Sequence, residues 1–147
     1  MDAIYGKGKG FTIVCPAFPE AKRTIFNGHL FVGNELLSDS GMRNHPLTPM
    51  TDANLVRVMQ AQTQRIVGLV DYASVCVGPT EIQARFQALQ NEGIAIAVVD
   101  VTCNQDLESV ASAIADIPLV TAGSGLAIGL PNNWRIRGLL DASDSSD

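Results

Sequence analysis

Apolar residues follow two rhythms along this chain, and the switches between them mark out its elements. Phe11–Cys15 (FTIVC) is a short β-branched run closed by Pro16, which suits a buried strand. After the turn carrying Pro16 and Pro19 comes Thr24–Val32 (TIFNGHLFV), with Asn27-Gly28 at its centre. That pair predicts a β-hairpin, because both central positions of a type I′ turn need positive φ. Gly33-Asn34 marks a second turn before Leu36-Leu37.

Helical spacing then takes over. Thr51 or Asp52 can cap a helix over Ala53–Gln62, with Leu55, Val56 and Met59 on one face. Arg65–Val70 reads as a strand. Thr80 opens a second helix reaching about Asn91, where Ile82, Phe86 and Leu89 recur at helical spacing and Gly93 provides the stop. Ile94–Val101 (IAIAVVDV) is a near-continuous apolar strand of the kind buried on both faces of a parallel sheet. A third helix runs from Asn104 to about Ala115, facing the core with Leu107, Val110, Ala111 and Ile114. Pro118–Thr121 is a fourth strand, followed by a glycine-bearing turn and a short helix-like segment.

This alternation predicts an α/β fold: a three-layer sandwich around a mainly parallel sheet, with right-handed crossovers. The hairpin is an insertion or edge decoration on that sheet. At 147 residues the chain is one ordinary domain in length.

Ser38–Asp52 (SDSGMRNHPLTPMTD) fits neither rhythm. Its prolines, glycine and side-chain capping groups make regular secondary structure unfavourable, so it reads as a long loop, a common home for function. Arg43 and His45 could clamp and protonate a carboxylate-bearing ligand, since a guanidinium fork matches a carboxylate and imidazole titrates near neutrality. Alternatively, Arg43 and Asn44 tie down the loop by bonding its own carbonyls. His29, on a hairpin strand, reads as a cross-strand surface position.

Two other features carry candidate chemistry. Thr121–Gly125 (TAGSG) follows an apolar strand, so Gly123, Ser124 and Gly125 offer either backbone N–H groups to an anion or a structural β-to-α turn. The spacing matches neither a P-loop nor a dinucleotide fingerprint. Asp100, at the end of the apolar strand, either points into the crevice where α/β sheets bind ligands or caps the turn that follows. No metal-ligand cluster stands out.

The net charge of −5 is unevenly spread. Residues 1–50 hold five Lys/Arg against four Asp/Glu, while residues 51–147 hold five against eleven. So acidic a chain is a poor nucleic-acid binder, and an anionic ligand is expected to meet the N-terminal third. The three cysteines, Cys15, Cys76 and Cys103, have neither zinc nor disulfide-framework spacing and read as reduced, buried small hydrophobes. No apolar run is long enough to span a bilayer, and the first ten residues lack a signal-peptide core, so a soluble cytoplasmic protein that does not bind membranes is expected.

The runs FTIVCPAFPEAKRT, NGHLFV, SDSGMRNHPLTPMTDANLVRVMQAQT, AVVDV and TAGSGLAIGLP resemble, in the same order from about Phe11 to Leu140, the four-carbon acid sugar kinase family. The SGMRNHPLTPMTD run is the most specific of them. Lys22 stands where that family usually has a glycine, as does Ala122; Lys22 is expected to lose a positive-φ turn.

The resemblance implies ATP-dependent phosphoryl transfer to a hydroxyl of a four-carbon sugar acid, such as 3-oxotetronate (to its 4-phosphate), threonate or erythronate. Family members have an N-terminal substrate domain and a C-terminal nucleotide domain, and this chain is similar to the later half of the first. Residues 1–140 are thus expected to form a partial sugar-acid-binding domain, and residues 141–147 an acidic tail or the start of an interdomain linker. An opening Asp-Asp-Phe-Thr-Gly-type motif and a Cys-Ser-Thr-Phe-Asp-type motif would precede Met1, and the nucleotide domain would follow the tail. The implied cofactors, ATP and Mg2+, would bind outside this chain. Arg43, His45, Gly123, Ser124 and Gly125 are the substrate-binding candidates, and no catalytic residue is assigned. Alone, the chain is expected to be inactive as a kinase. Its expected partners are a four-carbon sugar acid and either a second copy or the remaining kinase portions. The alternative is a non-catalytic remnant or a binding or interaction module of the same fold.

Overall fold

The computed structural model of the protein describes residues 1–140; the acidic segment 141–147 lies outside the described residues. A short helix α1 (Asp2–Tyr5) precedes β1 (Thr12–Cys15), and a three-stranded antiparallel unit follows, β2 (Arg23–Phe26), β3 (His29–Val32) and β4 (Glu35–Leu36). Then come α2 (Leu55–Gln60), β5 (Val67–Val70), α3 (Tyr72–Val75), α4 (Pro79–Asn91), β6 (Ile96–Val99) and α5 (Asn104–Ala113). The last elements are β7 (Thr121–Ala122), α6 (Ser124–Ala127) and α7 (Leu130–Ile136).

β5, β6, β1 and β7 form a parallel sheet in that order. All four residues of β6 are buried, as its unbroken apolar run requires of a strand covered on both faces. One cover is α4, whose Ile82, Phe86 and Leu89 are buried and whose Phe86 ring lies 5.4 Å from that of Phe11. Gly68 of β5 makes room on this side, because a Cβ there would fall 2.8 Å from Ile94. On the other side Leu69 and Val56 of α2 close over Gly28. The α/β three-layer arrangement is therefore as expected, with the antiparallel unit laid against the sheet. Ile25, fully buried, joins the two by exchanging backbone hydrogen bonds with Val101 at 2.7 and 3.0 Å.

The hairpin turn forms as the sequence predicts, with φ of 47° at Asn27 and 73° at Gly28. Several boundaries move, each for a local reason. The loop holds one 3-10 turn, Gly41–Asn44, because Ser40 caps it. Helix α2 is capped by Asn54, not Thr51 or Asp52: the Asn54 side chain accepts the Arg57 N–H at 3.0 Å, while Asp52 accepts that of Asn54. Helix α4 starts at Pro79, which loses nothing by lacking an N–H in the first turn, rather than at Thr80. The fourth strand shifts from 118–121 to Thr121–Ala122; Pro118 cannot donate to a ladder, and the Leu119 carbonyl accepts the Thr12 hydroxyl at 2.7 Å. Helix α3, which the spacing does not predict, exists because Asp71 caps it.

Two further expectations are corrected. Lys22 does not lose the positive-φ turn; it adopts it itself, at φ 58°. Of the cysteines only Cys15 is buried, whereas Cys76 and Cys103 lie on short exposed caps beside helices.

Candidate functional site

The carboxyl ends of β1 and β7 lie side by side and deliver Pro16 and Gly123 to the same edge, where α/β sheets bind ligands. The turn after β7 is docked there by its glycines. Gly123 donates its N–H to the Cys15 carbonyl at 3.0 Å, and a Cβ on Gly125 would lie 2.6 Å from the Ala17 carbonyl oxygen. Ser124 is exposed in the first turn of α6.

Loop 38–52 reaches the same seam from the other side. The Ser40 hydroxyl donates to the Leu37 carbonyl at 2.8 Å and accepts the Met42 N–H, and the Met50 N–H closes back onto the Met42 carbonyl at 3.1 Å. This folding turns Met42 and Met50 toward Pro16, Leu30, Val32 and Leu37, leaving a cleft of about 390 Å³ that Ala21 and Arg23 complete. Its walls are mostly apolar, and Arg23 is its one charged lining residue.

Of the residues singled out in the sequence, Arg43 donates to the Ser38 carbonyl at 3.0 Å, tying the loop to itself. His45 accepts the Thr48 N–H on Nδ1 at 3.1 Å, which puts the neutral ring's proton on Nε2. Neither lines the cleft; their neighbour Met42 does. Gly123 lines a separate cavity of about 380 Å³, beside Val120, Leu126, Leu130 and Trp134. Loop and turn thus meet through Pro16–Phe18, but Arg43, His45 and Gly123 do not share one cavity.

Asp100 settles between its two readings in a third way. It is fully buried, and its carboxylate accepts the N–H groups of Asn27 at 2.7 Å, Gly28 at 2.9 Å and Tyr72 at 2.9 Å. It clamps the hairpin turn and the start of α3 to the sheet rather than facing ligand. Burial pushes its carboxyl above the usual range, against the pull of those three donors. The following helix is capped instead by Asp106, which accepts the N–H groups of Thr102 and Cys103.

Arg23 is the cleft residue that sequence reasoning misses. The available signal is weak: an arginine opening a hairpin strand, opposite an apolar Val32 rather than an acid. Among the described residues no three His, Cys, Asp or Glu side chains gather as a metal-binding set. No helix among them is long and apolar enough to cross a membrane.

Residues 1–130 match the family described as the sugar-binding N-terminal domain. The chain is 53% identical over 139 residues to a 3-oxo-tetronate kinase of Pseudomonas fluorescens, covering 95% of this chain and 32% of that kinase. A crystal structure of a Haemophilus influenzae protein superposes with a TM-score of 0.81 at 49% identity, covering 92% of this chain and 32% of that one. A Bordetella bronchiseptica domain of unknown function, solved with bound citrate as a domain-swapped dimer, matches with a TM-score of 0.69 at 25% identity, over 88% of this chain and 30% of that one. The chain spans about a third of the length of the curated relatives it matches.

Proposed function

Because the chain belongs to the sugar-binding N-terminal domain family, we propose that it is part of the substrate-holding portion of an ATP-dependent kinase for a four-carbon sugar acid such as 3-oxotetronate. Its own work is to hold the acid; phosphoryl transfer needs placed phosphates and a metal, for which residues elsewhere in a longer polypeptide are required. Residues 1–140 form the acid-holding unit in this reading, and 141–147 lead toward the nucleotide domain.

The observation that carries the proposal is the cleft at the carboxyl end of β1, apolar-walled with a single cationic lining residue. A sugar acid presents one carboxylate and a short carbon chain, and a 390 Å³ space admits it with room to spare. The Bordetella bronchiseptica relative, of which this chain covers 30%, was solved with bound citrate, a small polycarboxylate. In this reading Arg43 and His45 act from outside the cleft, bracing the loop that carries Met42 and Met50, and the turn Gly123, Ser124 and Gly125 supports the Pro16–Phe18 segment from the β7 side. The work takes place in the cytoplasm, where three unpaired cysteines stay reduced.

A second reading, an interaction module, draws on the apolar surface at the other end of the chain, where Ile128, Trp134, Ile136 and Leu139 are all exposed. Its partner would be a second copy or the remaining kinase portions.

Thermal unfolding with 3-oxotetronate, threonate and erythronate tests the main reading. An acid at about 100 times its dissociation constant adds roughly 2.7 kcal/mol of stability. A shift with at least one of them, with no ADP release in a coupled assay, is the expected result. Turnover by this chain alone overturns the division of labour, and no shift with any acid overturns the acid-holding role.

A further inference from the structure

Among the described residues four arginines line the main cavities, and three are already engaged. Arg57 is paired with Asp52, Arg65 with Asp2 and Arg137 with Asp116. The fourth, Arg23, makes no side-chain hydrogen bond or ion pair among the described residues. Its backbone, by contrast, is firmly held. Its N–H donates to the Phe18 carbonyl at 3.1 Å, its carbonyl accepts the Phe18 N–H at 2.8 Å, and it pairs with Val32 across the hairpin. The base of the side chain is fixed while the guanidinium stays free.

We propose that Arg23 is the carboxylate anchor of this cleft. The ligand is a small acyclic hydroxy acid whose carboxylate meets the guanidinium fork while its carbon end faces Met42 and Met50. The proposal rests on the acid-holding role proposed above and adds which group performs it. A planar guanidinium makes two parallel hydrogen bonds to a carboxylate, which a lysine cannot copy. Thioether side chains adapt their shape to an irregular ligand without offering it a competing charge. The nearest acid by register is Glu35, two strands away and about 10 Å by strand spacing, and it forms no ion pair with Arg23. Arg43 is less suited, since its guanidinium already bonds the Ser38 carbonyl.

The test is calorimetric titration of the whole chain with threonate, erythronate, 3-oxotetronate and citrate, comparing wild type with R23M, R23K and R135M. Among the described residues Arg135 is also without a side-chain partner, and it lines none of the cavities described above, so its variant reports the general effect of removing a positive charge. The expected result is binding weakened at least about tenfold by R23M, most of that loss retained in R23K, and none in R135M. A ligand-side arm needs no variant: threonamide, which keeps the chain and hydroxyls but not the charge, should bind at least about tenfold more weakly than threonate. Should R23M fail to fold, this arm decides. Equal binding by R23M and wild type, or by amide and acid, overturns the anchor while leaving the acid-holding role intact. If wild type binds none of the acids, both fall together.

Discussion

The Oδ1 atom of Asp100 accepts the backbone N–H of Gly28 at 2.9 Å, across 72 residues of sequence. Its Oδ2 atom takes the neighbouring Asn27 and the first residue of α3, so one buried carboxylate joins hairpin, sheet and helix. D100A removes all of these acceptors and leaves the buried Gly28 N–H unsatisfied, at a cost of about 3 kcal/mol; D100N, which keeps one oxygen, costs roughly half as much. Urea denaturation measures both, and a cost below about 1 kcal/mol for D100A contradicts the clamp.

The hairpin is legible in the sequence because Asn27-Gly28 meets a backbone requirement that few residue pairs meet. Strand β6 is legible because burial on both faces leaves no polar position between Ile96 and Val99. Helix α3 is not: with four residues it has no period to detect, and it depends on the Asp71 cap and the Asp100 carboxylate arriving from β6. The cleft is half legible. The composition of loop 38–52 announces a special segment, but Arg23 stands out only through its lack of a side-chain partner among the described residues, which one-dimensional information cannot carry. In the sequence Arg57 looks just as free, yet Asp52 takes it.

Lys22 occupies the left-handed region at φ 58°, where a side chain costs about 1 kcal/mol and glycine does not. Part of that gain is lost to the greater freedom of glycine in the unfolded chain. K22G is expected to raise stability by about 0.5 kcal/mol, read as a higher urea midpoint at unchanged slope. A lower midpoint would show that the lysine side chain contributes more than its backbone costs.

The two glycines of the β7 turn look interchangeable in sequence and are not. A Cβ at Gly125 would fall 2.6 Å from the Ala17 carbonyl oxygen, so G125A must push backbone apart, at about 1–3 kcal/mol. At Gly123, with φ −75° and its nearest neighbour 3.6 Å away, G123A is expected to fall within about 0.5 kcal/mol of wild type. Thermal unfolding of the two variants side by side checks the contrast, and equal effects would place the turn elsewhere than against Pro16–Phe18.

Thiol labelling of the native protein should separate the cysteines by location. Cys76 and Cys103 are exposed and are expected to react fast, while Cys15 is buried, with its thiol pushed up to about 11 by desolvation. Mass spectrometry after brief alkylation should therefore show two modified positions, with the third appearing only in denaturant. Early labelling of Cys15 would mean that the end of β1 opens in solution.

Asp52 gives the protein a defined acid sensitivity. The Arg57 guanidinium, with Nη2 donating at 2.6 Å, and the Asn54 N–H hold its carboxyl at about 2. An unfolded aspartate titrates near 4, so the folded state favours the ionised form. The stability this supplies is full above about pH 4 and is lost as the pH falls toward 2. D52N cannot titrate, so the stability gap between wild type and D52N should narrow across that interval. Because the pair is at the surface, the gap should also shrink in 1 M salt, where screening acts within about 3 Å. Urea midpoints from pH 5 to pH 2 measure it; a gap that stays constant with pH would mean that Arg57 does not hold Asp52 in solution, leaving the entry to α2 to the Asn54 cap.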